Sequence, residues 1–419
     1  MSRNILILFF ALIVLNPFSI PPLGAQEAAD ALSIEQALAA AWQNNPDVLE
    51  ARRKIEIQRA HYRQTRKFPN PDVEFEVDKL RQDDDRALEG EGKVSQPLEL
   101  WGKRGLKIGI AKDEVVLAEL EFKKVWLNVS RQIKAQYAQT LLGQKSIELA
   151  EENLNIARRL LDQVQVRFNT GKARSHELAR AKLEAAKARN SLLKVNNDFR
   201  IALGRLNILL GRTMNEVVKL QDNLSPQAIA KTLEEYLDMA SSQNTEIVSQ
   251  KQEVDKWDKE LQFAKRQAMP DVTVSAFANR EDELTNAGAG VSFEWPLWHQ
   301  FQGDAQAADL EKETAGIHLE ALKRTVELDV YEAFQNVTLT FQTLHNLEDS
   351  IKEANELLRI ITIEYDEGEA SFLTYLEGIA SYQKTKQEYL EALTDHALKS
   401  ADLEQVIGQT HGFAKEEKK

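Results

Sequence analysis

The sequence contains no cysteine among its 419 residues, and glycine (18) and proline (10) are both scarce. Without cysteine there are no disulfides, no thiolate metal sites and no N-terminal cysteine to acylate. No Ser/Gly-rich linker interrupts the middle of the chain, which favours one continuous architecture over a string of domains. Aromatic residues make up only 7% and charged residues 28%, a composition typical of long helices with solvated faces.

Long apolar runs are also missing, apart from residues 5–15 near the N-terminus. Arg3 precedes this run, and Asn16, Pro17 and the small residues of LGAQ follow it. The pattern predicts a secretory signal peptide, residues 1–25, cleaved after Ala25. A retained membrane anchor is the alternative, but the run falls short of the roughly 20 residues that span a bilayer. We therefore expect an exported mature chain.

Positive charge is in deficit: the formal net charge is −13, and removal of Arg3 with the signal peptide makes it about −14. An acidic chain is a poor nucleic-acid binder, so we expect no nucleic-acid partner. The negative mean hydropathy argues against a polytopic helical membrane protein.

The chain is internally duplicated. At an offset of 199, residues 34–47 align with 233–246, and Pro71-Asp72-Val73 aligns with Pro270-Asp271-Val272. Further on the offset is 197, and RFNTGKA (residues 167–173) aligns with EYDEGEA (residues 364–370). So long a period indicates a duplicated structural unit rather than a solenoid. We predict repeats at residues 26–231 and 232–411, followed by a charged tail at 412–419.

Each repeat has the same predicted order of elements. A helix (residues 33–67 and 232–267) leads into two short strands, then a long helix (103–168 and 303–365), a tight turn, and a shorter helix (175–210 and 372–407). The long helix would reach about 100 Å at 1.5 Å per residue. The fold class is therefore mainly α with a small β part, with one long helix running beside two short ones.

Three of the four predicted strands alternate clearly between apolar and polar residues. The polar positions include Glu74, Glu76 and Glu294, whereas the second strand, around residues 92–98, is the least regular. The apolar positions, which we predict to form one lipid-facing surface, are Val73, Phe75, Val77, Val272, Val274, Val291, Phe293 and Trp295.

Strands of about ten residues are long enough to cross a membrane when tilted. We expect the polar connections, residues 81–91 and 280–287, to be loops outside the membrane. Four strands cannot close a barrel, and an open edge is not tolerated in lipid, so several chains must contribute to one barrel. The alternative is an ordinary four-stranded antiparallel sheet that covers a helical bundle.

These features together resemble the TolC-like outer-membrane efflux proteins, and SQPLELWGKRG (residues 95–105) resembles the CzcC/CusC-type heavy-metal branch. The resemblance implies a homotrimer with a 12-stranded outer-membrane β-barrel and a helical α-barrel that forms a periplasmic tunnel. It also implies an exit duct for heavy-metal cations that works with a periplasmic membrane-fusion adaptor and an inner-membrane RND transporter. Lipidation of an N-terminal cysteine, found in many relatives, does not carry over.

The resemblance places the two helix turns at a periplasmic tip. Gly171 and Gly368 permit the positive φ of a helix C-cap, and we expect Ser175 to cap the following helix. The residues implied in adaptor contact are Phe168, Gly171, Ser175, Leu178, Tyr365, Gly368 and Phe372. A cation-attracting entrance gate is predicted from Asp366, Glu367 and Glu369 pairing with Arg167 or Arg174 of neighbouring chains. Ordinary solvated turns remain the alternative.

No catalytic constellation is recognisable, and the seven histidines are dispersed without an i, i+4 pair. We therefore expect neither an enzyme, nor a cofactor, nor a resident metal site, and we expect any cargo selection to occur upstream. Three other functions stay open: a periplasmic coiled-coil adaptor or scaffold, a helical hydrolase and, within the family, a multidrug or protein export duct.

Overall fold

The computed structural model describes residues 31–82, 85–222, 225–226, 228–281 and 284–409. The predicted signal peptide, residues 1–25, and the tail, residues 412–419, lie outside these ranges.

The first repeat contains eight elements, introduced here in chain order. They are β1 (Ala31–Leu32), α1 (Ile34–Asn44), α2 (Pro46–Thr65), β2 (Asp72–Gln82), β3 (Asp85–Leu98), α3 (Lys103–Asn169), α4 (Ser175–Leu209) and β4 (Lys219–Leu220). The two-residue strands β1 and β4 pair in parallel.

Within the described residues, the second repeat has the same order without counterparts of the two short strands. Its elements are α5 (Leu233–Gln243), α6 (Thr245–Gln267), β5 (Asp271–Glu281), β6 (Leu284–Glu294), α7 (Gln302–Glu367) and α8 (Phe372–Val406). The long helices α3 and α7 have 67 and 66 residues, which confirms the predicted length of about 100 Å.

The single helix predicted at the start of each repeat is wrong, because each is divided at an asparagine. Asn45 and Asn244 have non-helical backbones, with ψ values of 127° and 123°, and their side chains accept hydrogen bonds from the first turn of α2 and α6. In the first repeat, Pro46 also disfavours helical backbone at Asn45. An asparagine N-cap stabilises the helix that follows it by about 1 kcal/mol. It can do so only with a non-helical backbone, so the preceding helix must end there.

The two dividing asparagines confirm the duplication in atomic detail. The Asn45 amide donates to the carbonyl of Leu209 at 2.8 Å, and the Asn244 amide donates to that of Val406 at 2.7 Å. Each bond ties the start of one short helix to the end of another, so α2 and α4 stack end to end, as do α6 and α8. The predicted arrangement of one long helix beside two short ones is therefore correct.

The helices form a layer with two open sides. The long helix α3 packs on α2 and α4 on one side and on α6 and α8 on the other, whereas α7 packs on α5, α6 and α8, all on one side of it. The uncovered side of α7 exposes apolar side chains at Leu310, Ile317, Leu328, Tyr331 and Leu339. At the opposite side of the layer, α4 exposes Leu183, Leu193, Ile201 and Ile208.

The four long strands form one antiparallel sheet in the order β2-β3-β5-β6. The sheet makes only marginal contact with the helices. It therefore does not cover the helical bundle, and the ordinary sheet-on-bundle alternative is wrong.

The strands are longer than the sequence pattern predicted, and the two predicted polar loops are wrong. β2 and β3 pair up to Gln82 and Asp85, and β5 and β6 pair up to Glu281 and Leu284. Backbone pairing does not require apolar side chains, so a polar stretch indicates exposure and does not by itself indicate a loop. Trp295 lies one residue beyond β6, contrary to its predicted place in the strand.

Within the described residues, none of the helices has a stretch that is both long and apolar enough to cross a membrane.

Candidate functional site

One face of the sheet carries the predicted apolar residues. Val73 pairs with Val94, Val94 with Ala276, and Ala276 with Ala289, so this face continues across all four strands. Its side chains are exposed in the single chain, at 82% for Phe75 and 67% for Val291. An exposed, continuous apolar surface needs a cover, and a lipid bilayer is one that fits a sheet.

The opposite face of the sheet is polar, and most of its charged residues are acidic. Glu74 lies opposite Lys93, which donates to it at 3.1 Å, and Glu76 lies opposite Glu91. The exception is Phe277, whose ring covers the position opposite at Gly288, so that any Cβ there would come within 2.7 Å of it. The sheet thus separates an apolar from a charged surface.

The phrase LELWGKRG joins the sheet to the long helix α3. Lys103 is buried, and its ammonium donates to the carbonyl of Met269 at 2.8 Å and to the carboxylate of Asp271 at 2.9 Å. The indole of Trp101 donates to the carbonyl of Pro270 at 2.8 Å. These bonds fasten the first repeat to the start of β5 in the second.

The next residue in this phrase, Arg104, holds the end of α2. Its guanidinium donates to the carbonyls of Arg66 and Lys67 and stacks over the ring of Phe68, with the ring centroid 4.0 Å away. Cationic donors satisfy the free carbonyls of a helix C-terminus and oppose its negative dipole.

The two tip turns have the backbone predicted for them. Gly171 and Gly368 have φ values of 75° and 86°, and Lys172 and Glu369 donate from their backbone to the carbonyls of Arg167 and Glu364. These are the bonds of a Schellman motif, which requires a left-handed residue.

The predicted cap at Ser175 is wrong. The N-cap of α4 is Arg174, which has no side-chain capping bond, and Ser175 is the first helical residue. In the second repeat the N-cap is Ser371, whose hydroxyl accepts from the backbone of Thr374 at 3.1 Å. The serines of RSHEL and ASFLT occupy different positions relative to their glycines, so only the second reaches the capping position.

A small apolar core joins the two turns. Tyr365 is buried and stacks on Tyr375 with ring centroids 4.7 Å apart and an interplanar angle of 8°. Leu178 is buried in the same cluster, and half-buried Phe372 packs against it. Phe168 is exposed, as are Gly171, Ser175 and Gly368. Of the seven predicted contact residues, Leu178 and Tyr365 therefore lie beneath the surface.

Arg167 contacts the second turn, but not through the predicted acids. Its guanidinium stacks over the ring of Tyr365 at 4.6 Å and donates to the Tyr365 carbonyl at 3.2 Å. Asp366 instead accepts from the Gln163 amide at 3.2 Å. Asp366, Glu367, Glu369 and Arg174 are exposed, and within the described part of this single chain none of the three acids forms an ion pair with Arg167 or Arg174.

A polar triad about 25 Å from the tip joins α3 to α8. Lys386 donates to Glu152 at 2.6 Å, Tyr382 donates to Glu152 at 2.9 Å, and Lys386 and Tyr382 are 2.8 Å apart. Burial raises the pKa of the Glu152 carboxyl, but hydrogen bonds from Lys386 and Tyr382 outweigh burial and lower this pKa overall. Burial lowers the pKa of Lys386, and its bonds to Glu152 and Tyr382 raise it overall.

No cluster of three or more histidine or carboxylate side chains suitable for a metal ion occurs among the described residues.

Comparison with known proteins identifies the class of protein. A family profile described as "Outer membrane efflux protein" matches residues 37–212 and 236–409. The chain therefore belongs to the outer membrane efflux protein family. The match consists of two segments, one in each repeat.

Individual relatives agree with this assignment. The chain is 22% identical over 401 residues to the cobalt-zinc-cadmium resistance protein CzcC of Cupriavidus metallidurans, and the match covers 93% of each protein. The crystal structure of CusC superposes with a TM-score of 0.78 at 16% identity, over 91% of this chain and 93% of that one. VceC from Vibrio cholerae superposes with a TM-score of 0.75 at 17% identity, over 90% and 96%.

These findings confirm the TolC-like resemblance. The protein is an outer-membrane efflux channel whose helices extend into the periplasm. The alternative of a periplasmic adaptor or scaffold is wrong.

Sequence reasoning missed two parts of this site. Lys103 and Asp271 are 168 residues apart, and Glu152 and Lys386 are 234 apart, so no local pattern links them. The alignment of the two repeats offered a signal for Lys103. Its counterpart in the second repeat is Gln302, so a lysine occurs at this position in the first repeat only.

Proposed function

We propose that this protein is the exit duct of a tripartite RND-type system that exports heavy-metal cations. Similarity to CzcC over nearly the whole length of both chains supports this cargo class. The acidic polar face of the sheet fits a cationic cargo, because like charge would repel an anion from a narrow lumen.

The assembly that fits is a homotrimer. One chain offers four strands with two free edges and a helical layer with two open apolar sides. A closed ring of copies covers both sides and removes the edges, whereas a single chain leaves unpaired backbone groups in lipid. Three copies give the 12 strands that the family resemblance implies. The apolar face, including Val73, Phe75, Val77, Val272, Val274, Val291, Phe293 and Trp295, then contacts lipid.

The tip is the proposed contact with the periplasmic adaptor, which in turn bridges to the inner-membrane transporter. Phe168, Gly171, Ser175 and Gly368 are exposed there and supply the surface. Leu178, Tyr365 and Phe372 support that surface from beneath, through the core that joins the two turns. Asp366, Glu367 and Glu369, with Arg167 and Arg174, form the proposed entrance gate.

Deletion of the gene tests the cargo. We expect a deletion strain to become sensitive to zinc, cobalt or cadmium and to recover when the gene is restored. Sensitivity to dyes and detergents with unchanged metal tolerance would replace the heavy-metal cargo with a multidrug one. Unchanged tolerance to all of these compounds would contradict both a heavy-metal cargo and a multidrug cargo.

A further inference from the structure

A pocket of about 240 Å³ lies where α3, α6 and α7 meet. Leu322 of α7 forms part of its wall, and polar residues of α3 and α6 form most of the rest. Helix α3 belongs to the first repeat, whereas α6 and α7 belong to the second. The pocket therefore lies on the contact between the two repeats, about 70 Å along α3 from the tip.

The polar lining of this pocket consists mainly of oxygen atoms. Helical spacing places Thr245 beside Ser249 and Glu246 beside Gln250 on α6, and Glu121 adds a carboxylate from α3. The amide nitrogen of Gln250 donates to a carbonyl of α7 at 3.1 Å, which leaves its amide oxygen as an acceptor. Two carboxylates, two hydroxyls and an amide oxygen are ligands that hard divalent cations prefer.

The hydroxyl of Thr245 indicates that this pocket binds a ligand. Thr245 is only 4% exposed, and its hydroxyl has no hydrogen-bond partner among the described residues. A buried hydroxyl without a partner is unfavourable, so such groups usually contact an ordered water or an ion. The counterpart of Thr245 in the first repeat is Pro46, so this hydroxyl occurs in the second repeat only.

The electrostatics of the pocket favour a cation. The ammonium of Lys124 lies 2.8 Å from the carboxylate of Glu246. A hydrogen bond to Glu246 raises the pKa of Lys124 against the effect of burial, and the charge of Glu121 adds to the rise. On α7, burial raises the pKa of Asp329, and the charges of Glu332 and Glu246 raise it further. Acidic charge is therefore in excess around the pocket, which attracts cations.

We infer that this pocket binds a divalent cation, which displaces Lys124 and is held by Glu121, Glu246 and Thr245, directly or through its own water. Ser249 and Gln250 supply further oxygens. With only two carboxylates the site is weak, with a Kd on the order of 10⁻⁴–10⁻³ M. Its bonds would tie α3 to α6 and so join the two repeats. The same chemistry suits an ambient ion such as Mg²⁺ or Ca²⁺ and a transition-metal ion such as Co²⁺.

Binding at this pocket can be separated from binding at other acidic surfaces with a paramagnetic probe. Mn²⁺ suits oxygen ligands and broadens the spectrum of a nitroxide label close to it. Because the chain has no cysteine, Ala321→Cys accepts a single label beside Leu322, and Ala321 is exposed. A label at Lys384→Cys, on α8 and about 30 Å closer to the tip, reports non-specific binding. The full chain in detergent is titrated with Mn²⁺.

Three variants should change the Mn²⁺ affinity in different directions. We expect Glu121→Gln with Glu246→Gln to weaken it at least about tenfold, because both carboxylates are lost. Thr245→Val should weaken it about threefold and raise the melting temperature without metal, because an unpaired buried hydroxyl is removed. Lys124→Met should strengthen it about threefold, because a competing cation is lost.

The controls are exposed ion pairs within single helices. Glu148→Gln with Glu356→Gln matches the acidic double variant, and Lys145→Met matches Lys124→Met. They should leave the affinity at the Ala321→Cys label unchanged. Equal broadening of the two labels in the otherwise wild-type chain, or equal effects of the acidic double variant and its control, would overturn the site. So would an unchanged affinity in Thr245→Val.

Competition identifies the source of the cation. Displacement of Mn²⁺ from the pocket at lower concentrations of Mg²⁺ or Ca²⁺ than of Co²⁺ or Zn²⁺ would assign an ambient ion. The reverse order would assign an ion of the proposed cargo class. Either order supports the site, and loss of the site would leave the proposed duct intact because the inference does not depend on the cargo.

Discussion

At the scale of single residues, Lys103 concentrates the bonds between the sheet and the helices. Its side chain is only 5% exposed, and it serves a carbonyl and a carboxylate from the second repeat at once. A buried ammonium is tolerated only when its donors are satisfied. Its partner Asp271 is 59% exposed, so water screens the charge and the hydrogen bonds matter more than the ion pair.

Replacing Lys103 with Met keeps the length of the side chain and removes its donors. We expect a loss of about 1–3 kcal/mol, because the Met269 carbonyl loses its buried donor. Thermal unfolding of the detergent-solubilised protein, followed by circular dichroism, measures the change. Lys384→Met is the matched control, since the side chain of Lys384 is 78% exposed and pairs only within its own helix. Equal effects of the two substitutions would argue against the fastening role of Lys103.

The acids of the second turn are unfavourable where they stand. Asp366 and Glu367 lie in the last turn of α7, where negative charge opposes the helix dipole at a cost of about 0.3–1 kcal/mol per exposed group. Arg167 partly offsets this cost by donating to the carbonyl of Tyr365. A functional benefit would explain why the acids are retained.

Replacing Asp366 with Asn and Glu367 with Gln tests the entrance gate. We expect higher resting single-channel conductance in planar bilayers, because the acids would no longer pair with Arg167 or Arg174 of neighbouring chains, or weaker block by multivalent cations, because three acidic turns would no longer concentrate cations. The double change Asp349→Asn with Glu356→Gln is the control, on exposed acids of the same helix. Normal insertion with unchanged conductance and unchanged block would show that the acids are an ordinary solvated turn.

At the scale of elements, the triad of Glu152, Tyr382 and Lys386 connects the two helical hairpins in a pH-dependent way. The lowered pKa of Glu152 means that its stabilisation is complete above the unfolded-state pKa and is lost as pH falls through the folded-state value. The raised pKa of Lys386 means that its contribution is lost as pH rises through its folded-state value. The connection is therefore strongest near neutral pH.

Replacing Glu152 with Gln should weaken this connection at neutral pH. It should also remove the part of the stability that is lost when Glu152 is protonated at low pH. Both charged groups are more than one-third exposed or close to it, so after solvent screening we expect a loss of about 0.5–1 kcal/mol. Unfolding midpoints from pH 7 to pH 3 measure it, with Glu388→Gln as the surface control. The prediction fails if the variant and the wild type lose stability in parallel as the pH falls.

The strands supply a second prediction at this scale, based on their alternation. Single cysteines at Phe75 and Phe293 should react poorly with a charged maleimide, because a lipid-facing thiol rarely ionises. Cysteines at Glu74 and Glu76 should react readily from a water-filled lumen. Labelling of the protein in intact membranes, compared with labelling after denaturation, gives the accessible fraction. Uniform labelling along β2 would contradict a membrane-inserted sheet.

At the scale of the whole molecule, each open side of the helical layer lies on the same side of the chain as one free edge of the sheet. On one side, α7 exposes apolar residues such as Ile317 and Leu328, and β6 ends the sheet. On the other, α2 and α4 are uncovered and β2 ends the sheet. A contact between these two unlike sides is heterologous. It forms a closed ring when the rotations that relate successive copies add up to a full turn.

We expect detergent-solubilised protein to have three times the mass of the mature chain. Native mass spectrometry or light scattering corrected for detergent measures this. Replacing Leu328 and Leu339 with Lys, on the uncovered side of α7, should shift the mass toward the monomer, because charge would be buried at the contact. The control is the double substitution Glu320→Lys with Glu327→Lys, at two residues that are also exposed on α7. A water-soluble monomeric wild type would exclude the barrel.

The sequence by itself determined the duplication, the long helices, the turn glycines and the two faces of the sheet. All of these follow from periodicity or from backbone geometry at single residues, which neighbouring residues in the chain report directly. The alternation from Val73 to Val77 and the positive φ at Gly368 are of this kind.

Only the tertiary structure decided where the first helix of each repeat divides, how far the strands run, and which charges meet. Asn45 ends a helix because its amide reaches the carbonyl of Leu209, 164 residues away. The hairpins extend through polar residues because a partner backbone is present, and β6 stops at Glu294 where none is. Lys103 finds Asp271 only after both repeats have packed. Each of these features depends on a partner that is distant in the sequence, and the pattern of neighbouring residues carries no information about such a partner.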